Sequence, residues 1–295
     1  MDTKKTIYVG VFGGLGNQLF QYAFGRALAL KTGRQLVLDV SWFEIQNARR
    51  CSLARYPIQA RIMGRTESWR LGLEKGIVRR WCKRGFALAH GHLPISVELI
   101  EESDKGTADL NVRPDRVPYL NGYWQDPSYF AEHESMLRRE LKPYRNGQEN
   151  LRFLKEISER QSVAVHIRRT DYLNHATVFH NCGAWYYQSA IRIIADQVNE
   201  PHFYFFSDDP EWARENIRCE FPSTYIHPDL GSPEVDLWLM SQCRHRILAN
   251  STFSWWGAWM AEEEPGIVIT PKSWLRHKQE WNPSLPHWII LDNDE

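Results

Sequence analysis

The chain has 295 residues, enough for one large or two medium domains with a substantial core. Its 36 Lys and Arg balance 36 Asp and Glu, so it lacks the cationic excess of a general nucleic-acid binder, and any affinity for phosphate must come from a local site. Thirteen tryptophans exceed what a core of this size needs; Trp fills cores, stacks on sugars and anchors at membrane interfaces.

Met1 to Thr6 runs straight into a strand-like Ile7-Tyr8-Val9-Gly10-Val11-Phe12, which leaves no room for a secretory apolar region. No segment approaches the roughly 18 apolar residues of a membrane span. Five cysteines without a C-x-x-C read as reduced thiols, so a cytoplasmic location is expected. The sequon Asn250-Ser251-Thr252 is then expected to be incidental.

After the first strand, Gly13-Gly14-Leu15-Gly16 makes a turn, and Phe20, Phe24 and Leu28 form one stripe of a helix that Gly33 can close. Gln35–Asp39 is a second strand. The glycines and Asp39 resemble a dinucleotide fingerprint, but Leu19 stands where its third Gly belongs, so the signal for NAD is weak. The amides of Asn17 and Gln18 suit hydroxyl groups of a polar ligand instead. Residues 43 to about 115 show no clean period. Within them, 61–84 holds eight basic residues against Glu67 and Glu74, with Trp69, Leu73, Ile77 and Trp81 at i+4 spacing. That is either a basic amphipathic surface for anionic lipid, giving peripheral contact with the inner membrane, or a helix packed on its own domain, weakened by Gly72 and Gly76.

Order returns at Val117–Trp124, and Pro127 to about Glu140 reads as a helix. The polar break Lys142–Gly147 divides the chain into expected domains 1–145 and 146–295. Beyond it, strands at 162–167, 202–206, near Thr224, 246–249 and 266–270 alternate with helices at 184–198, 210–217, 233–243 and 252–262. The pattern predicts a parallel α/β sheet with ligands at the carboxyl ends of its strands.

Three strand ends carry candidate chemistry. In Ser162–Ile167, alternation puts Val163, Val165 and Ile167 on one face and Ala164, His166 and Arg168 on the other. Arg168 and Arg169 supply planar, permanently charged donors suited to a diphosphate, with Asp171 near enough to orient one of them. The next strand ends in Ser207-Asp208-Asp209-Pro210; Asp209 and Pro210 fit a helix start, which leaves Asp208 for a base or ribose hydroxyl. The third breaks into Asn250-Ser251-Thr252-Phe253-Ser254 before a helix, whose free N–H groups and hydroxyls form an anion site. Phe253, Trp256, Gly257 and Met260 repeat at helical spacing and read as core. No zinc-ligand spacing occurs, and Asp292-Asn293-Asp294, the only D-x-D, lies in a tail expected to be disordered; no metal is expected.

Gly13–Tyr22, His166–Tyr172, Ser207–Asp209 and Asn250–Trp259 together resemble bacterial α-1,2-fucosyltransferases of glycosyltransferase family 11. The resemblance implies a GT-B-like α/β architecture, two Rossmann-like domains with a cleft between them. It implies transfer of L-fucose from GDP-β-L-fucose, with inversion and without metal, to the 2-hydroxyl of a terminal β-galactose in a surface glycan of O-antigen type. GDP-fucose would be a substrate rather than a cofactor, and the β-galactoside acceptor could be lipid-linked. Arg168, Arg169 and Asp171 would be catalytic; His166, Ser207, Asp208, Asn250, Ser251, Thr252, Phe253 and Ser254 would hold the donor, with His166 and Asp208 at the guanosine. Asn17, Gln18, Asp39 and Asp126 would lie on the acceptor side, with Asp171, Asp39 and Asp126 as candidate bases. The competing readings are an NAD-dependent oxidoreductase, resting on Gly14, Gly16 and Asp39, and a non-catalytic carbohydrate-binding protein, resting on the tryptophans.

Overall fold

A computed structural model of the chain describes residues 5–45, 50–64, 67, 71, 97–102, 112–113, 115–144, 151–226, 232–261, 266–277 and 281–293. The chain divides into two compact units, Met1–Leu141 and Lys142–Glu295.

In the first unit, β1 (Thr6–Gly10), β2 (Gln35–Asp39), β3 (Arg61–Ile62), β4 (Val97–Glu101) and β5 (Val117–Asn121) form a parallel sheet in the order β3-β2-β1-β5-β4. Central β1 is buried along its whole length, as expected of a strand covered on both faces. The helix α1 (Leu15–Thr32) lies against it and ends on Gly33, whose left-handed backbone (φ 64°) a glycine adopts without strain. Gly25 allows the close approach: a Cβ there would stand 2.6 Å from Val9 and 3.0 Å from Leu36. A short helix α2 (Ser41–Ile45) follows β2.

The helix expected from Pro127 to Glu140 is broken. Two 3-10 turns, Pro127–Tyr129 and Ala131–His133, precede α3 (Glu134–Glu140). Phe130 leaves helical geometry (φ −132°, ψ 10°) and is buried beside Phe20, so burial of an aromatic ring overrides local helix preference. Most of the basic stretch 61–84 lies outside the described residues. Its first member, Arg61, belongs to β3 and forms a two-pronged ion pair with Glu67 at 2.5 and 2.6 Å.

The second unit contains α4 (Leu151–Ser158), β6 (Gln161–Ile167), α5 (Thr170–Leu173), α6 (Ala184–Ala195), β7 (Pro201–Ser207), α7 (Pro210–Asn216), β8 (Ser223–Ile226), α8 (Pro233–Gln242), β9 (His245–Ile247), α9 (Thr252–Trp259), β10 (Val268–Pro271) and β11 (Ile289–Leu291). The strands are parallel in the order β8-β7-β6-β9-β10-β11. This is the doubly wound arrangement, whose direction reverses between β6 and β9. Val163, Val165 and Ile167 pack with α6 and α7 on one face; Ala164 packs with α4 and α8 on the other. Trp255, Trp256 and Trp259 are buried in mutual contact, so these tryptophans are core. Asn293, in the segment expected to be disordered, is buried and fixed, accepting from Ser273 N and donating to Ser273 O.

Candidate functional site

In a doubly wound sheet, two neighbouring loops part at the switch between strands and leave a crevice at the carboxyl edge. In the second unit those loops follow β6 and β9: Arg168–Asp171 and Leu248–Thr252. The sequence therefore delivers its arginines and its Asn-Ser-Thr turn to one place. Tyr172 fastens them together, its hydroxyl donating to Asn250 O at 3.0 Å while its ring stacks on Phe179 at 4.1 Å.

Asp208, at the end of neighbouring β7, organises the arginine turn. It accepts from Arg169 N (2.9 Å) and Thr170 Oγ1 (2.7 Å) and pairs with Arg168 (3.2 Å). Asp208, expected at the guanosine, thus has both carboxylate oxygens in contact with the arginine turn. Asp171 accepts from Arg168 Nη2 at 2.5 Å, the geometry of an orienting partner rather than an unencumbered base. Burial works against the charge of Arg168, but the hydrogen bond to Asp171 and the charges of Asp208 and Asp171 outweigh it and hold its pKa above the ordinary value.

The two arginines do not act as one fork. Arg169 pairs with Asp209 at 3.6 Å and lies over the Trp212 ring at 3.7 Å. It lines a pocket of about 540 Å³ with His180, Asn181 and Arg276. Asp209 also caps α7 by accepting from Trp212 N, and Ser207 Oγ accepts from Asp209 N at 2.9 Å.

His166 is buried, with Nδ1 unpartnered and its ring 5.4 Å from that of Phe253. Burial first, and the Arg168 charge second, push its pKa down to about 3, so the imidazole is neutral. At the start of α9, Ser251 Oγ accepts from Phe253 N at 3.3 Å. Thr252 and Phe253 are half-buried, at a helix start whose first N–H groups lack intrahelical acceptors. Two members of the expected donor set turn inward. Ser254 is fully buried, its hydroxyl donating to Ala249 O and Ser251 O. Asn250, also buried, donates to His180 O and Trp274 O and accepts from Cys182 Sγ.

Two acids at this edge escape sequence reading, because acidic residues in a first helical turn are ordinary dipole partners. Since α8 leads back into parallel β9, its N-terminus lies at the carboxyl edge, on the face that carries Ala164 and His166. Glu234 there is buried, and burial, then the Glu234 charge, push the Asp236 carboxyl up to about 7.

The first unit has its own switch, between β1 and β5, where the loops 11–16 and 122–126 part. Gln21 joins them, accepting from Phe12 N (3.0 Å) and donating to Gly122 O (3.1 Å). Asn17 Oδ1 accepts from Gln125 Nε2 at 2.8 Å. Gln18 and Asp39, expected on the acceptor side, are both hydrogen-bonded within the unit. Buried Gln18 donates to Gly13 O and Arg50 O and accepts from Ser52 N. Asp39 accepts from Ser41 N and from Tyr119 Oη at 2.7 Å, so the ribose-binding acid of the NAD reading is already engaged. Asp126 caps the turn at Pro127 through Ser128 N.

Among the described residues no group of three or more His, Cys, Asp or Glu is placed to hold a metal ion. None of the described helices is long and apolar enough to cross a membrane.

The sequence profile described as Glycosyl transferase family 11 matches residues 103–292. An alpha-1,2-colitosyltransferase of Escherichia coli is 28% identical over 95% of this chain and 97% of its own. The O-antigen biosynthesis glycosyltransferase WbnK of Escherichia coli is 31% identical over 97% and 100%. Among solved structures, fucosyltransferase NodZ from Bradyrhizobium superposes with a TM-score of 0.51 at 14% identity, covering 86% of this chain and 92% of that one. This likeness, with the two parallel sheets, establishes a GT-B-like α/β fold.

Proposed function

The chain belongs to glycosyl transferase family 11, and on that footing we propose that it transfers L-fucose from GDP-β-L-fucose to the 2-hydroxyl of a terminal β-galactoside, with inversion, during assembly of an O-antigen type glycan. One observation carries the reading: Arg168, fixed by Asp171 and Asp208 and tied through Tyr172 to the start of α9, stands at the switch point of the second sheet. As the acceptor oxygen attacks the anomeric carbon, the bond to GDP breaks and negative charge collects on the diphosphate. A preorganised guanidinium and helix-start N–H groups stabilise that charge in place.

We further propose that Asp236, on the same edge and sheet face as His166, reads the base. An Asp236 carboxylate would accept from guanine N1–H and N2–H. The expectation that follows is tighter binding of GDP than of IDP, which lacks the 2-amino group, and loss of that preference in Asp236→Asn.

The test is product analysis after incubation with GDP-fucose and lactose or a Gal-β-1,3-N-acetylhexosamine acceptor, with EDTA present. A fucosylated product linked to O2, formed at an undiminished rate in EDTA, is expected. Intact GDP-fucose with every galactoside overturns the reading. The similarity to a colitosyltransferase favours a second donor, a nucleotide-linked colitose, and competition between the two donors in the same assay decides between them.

A further inference from the structure

The loop after β5 in the first unit presents an aromatic ring at that unit's switch point and holds it there under strain. Tyr123 is 45% exposed, unlike its neighbour Trp124, which is fully buried and stacked on Phe24 at 4.5 Å. Trp124 adopts a left-handed backbone, φ 57°, a conformation that costs a bulky residue about 1–3 kcal/mol and persists only where surrounding contacts impose it. Those contacts are visible. The Glu102 carboxylate accepts from Tyr123 N (2.7 Å) and from Trp124 N (3.0 Å). Gly122 admits Glu102, since a Cβ there would come within 2.5 Å of it. Burying Trp124 in this way turns the adjoining Tyr123 outward, and Phe12 props its ring edge-on at 5.0 Å.

Two residues further along the loop stands Gln125, whose amide is set by its hydrogen bond to Asn17. A rigid exposed aromatic ring with planar amides next to it is a sugar-binding arrangement: the ring covers the apolar C–H face of a pyranose, and amides exchange hydrogen bonds with its hydroxyls. β-Galactopyranosides suit it, because their axial 4-hydroxyl leaves C3–H, C4–H and C5–H together on the opposite face.

We propose that Tyr123 is the platform on which the acceptor's pyranose ring stacks, with Gln125, oriented by Asn17, hydrogen-bonding its hydroxyls. The proposal rests on the glycosyltransferase reading for its choice of ligand. It explains why this loop keeps a strained Trp124 where a relaxed turn would bury Tyr123 or let it swing.

Saturation-transfer NMR with methyl β-D-galactopyranoside tests it directly. Saturation concentrated on H3, H4 and H5 is expected for the native chain. Tyr123→Phe should keep the affinity, whereas Tyr123→Ala should lose about tenfold, as removal of one stacked ring implies. Gln125→Ala, which leaves the ring in place, should weaken binding while keeping the H3–H5 pattern. The denaturant midpoint, measured on each sample, verifies that the variant is folded. Unchanged galactoside binding by folded Tyr123→Ala, or no galactoside binding by the native chain, overturns the proposal. If the native chain binds galactoside through Tyr123 but no guanine nucleotide, the transferase reading fails and the platform stands.

Discussion

Replacing Asp236 with Asn should abolish a specific part of the chain's pH-dependent stability. The Asp236 carboxyl is raised from an ordinary 3.8 to about 7, by burial first and by Glu234 second. Between those values the folded chain holds a proton that the unfolded chain has released. Unfolding free energy therefore falls as pH rises from about 4 to about 7 and is level above, the sign for a carboxyl whose folded pKa is raised. A shift of about 3 units at about 1.4 kcal/mol each sets a ceiling of about 4 kcal/mol on the stability lost across that window. Asparagine keeps the shape without the charge, so the variant should be the more stable protein above about pH 7 and nearly equal to the native chain near pH 4. Urea denaturation of both proteins at several pH values, with the difference taken pairwise, isolates this group from every other titration. Parallel curves for native and variant chains across the window would refute the burial argument.

Arg168→Ala should lower kcat/KM for GDP-fucose by the equivalent of about 3–4 kcal/mol, the typical loss of one transition-state donor, and Arg168→Lys should restore little because an ammonium cannot reproduce the fork to Asp171 and Asp208. Near-normal turnover of Arg168→Ala would reject the leaving-group role. Arg169→Ala, at a residue packed on Trp212, should reduce turnover less than Arg168→Ala in the same assay. Gly25→Ala should destabilise the first unit by about 1–3 kcal/mol, measured by denaturant midpoint, since the added methyl meets Val9 and Leu36.

The second sheet was legible because its signals are local. Each strand is a short apolar run bounded by turn chemistry, and Asp209-Pro210 and Ser251 are cap residues that do cap. The sequence also located both switch-point loops of the second unit. It could not show which polar groups a folded crevice leaves available. Asp208, Gln18, Asp39 and Asn250 all bear side chains suited to a ligand, and each is satisfied by backbone groups or side chains distant in sequence, Asp208 by residues 38 and 39 positions away. Adjacent Arg168 and Arg169 looked like one fork, yet each is drawn to its own set of carboxylates and aromatic rings. Asp236 was missed for the opposite reason: its helix position looked routine, and only burial beside Glu234 makes it unusual. The break at Phe130 likewise depends on a ring from α1 that no window around Pro127–Glu140 contains.

The anchoring of Asn250 bears on how the chain can be produced. Its amide nitrogen is the atom that an oligosaccharyltransferase would modify in Asn250-Ser251-Thr252; in the folded protein the residue is 3% exposed and that nitrogen donates to the carbonyls of His180 and Trp274. A glycan attached there before folding would remove one of the nitrogen's two hydrogens and force a bulky hydrophilic branch into a closed turn. Expression through a eukaryotic secretory route should therefore trap the second unit unfolded in proportion to occupancy of that sequon. Thr252→Ala, which erases the sequon without touching Asn250, should rescue the secreted yield.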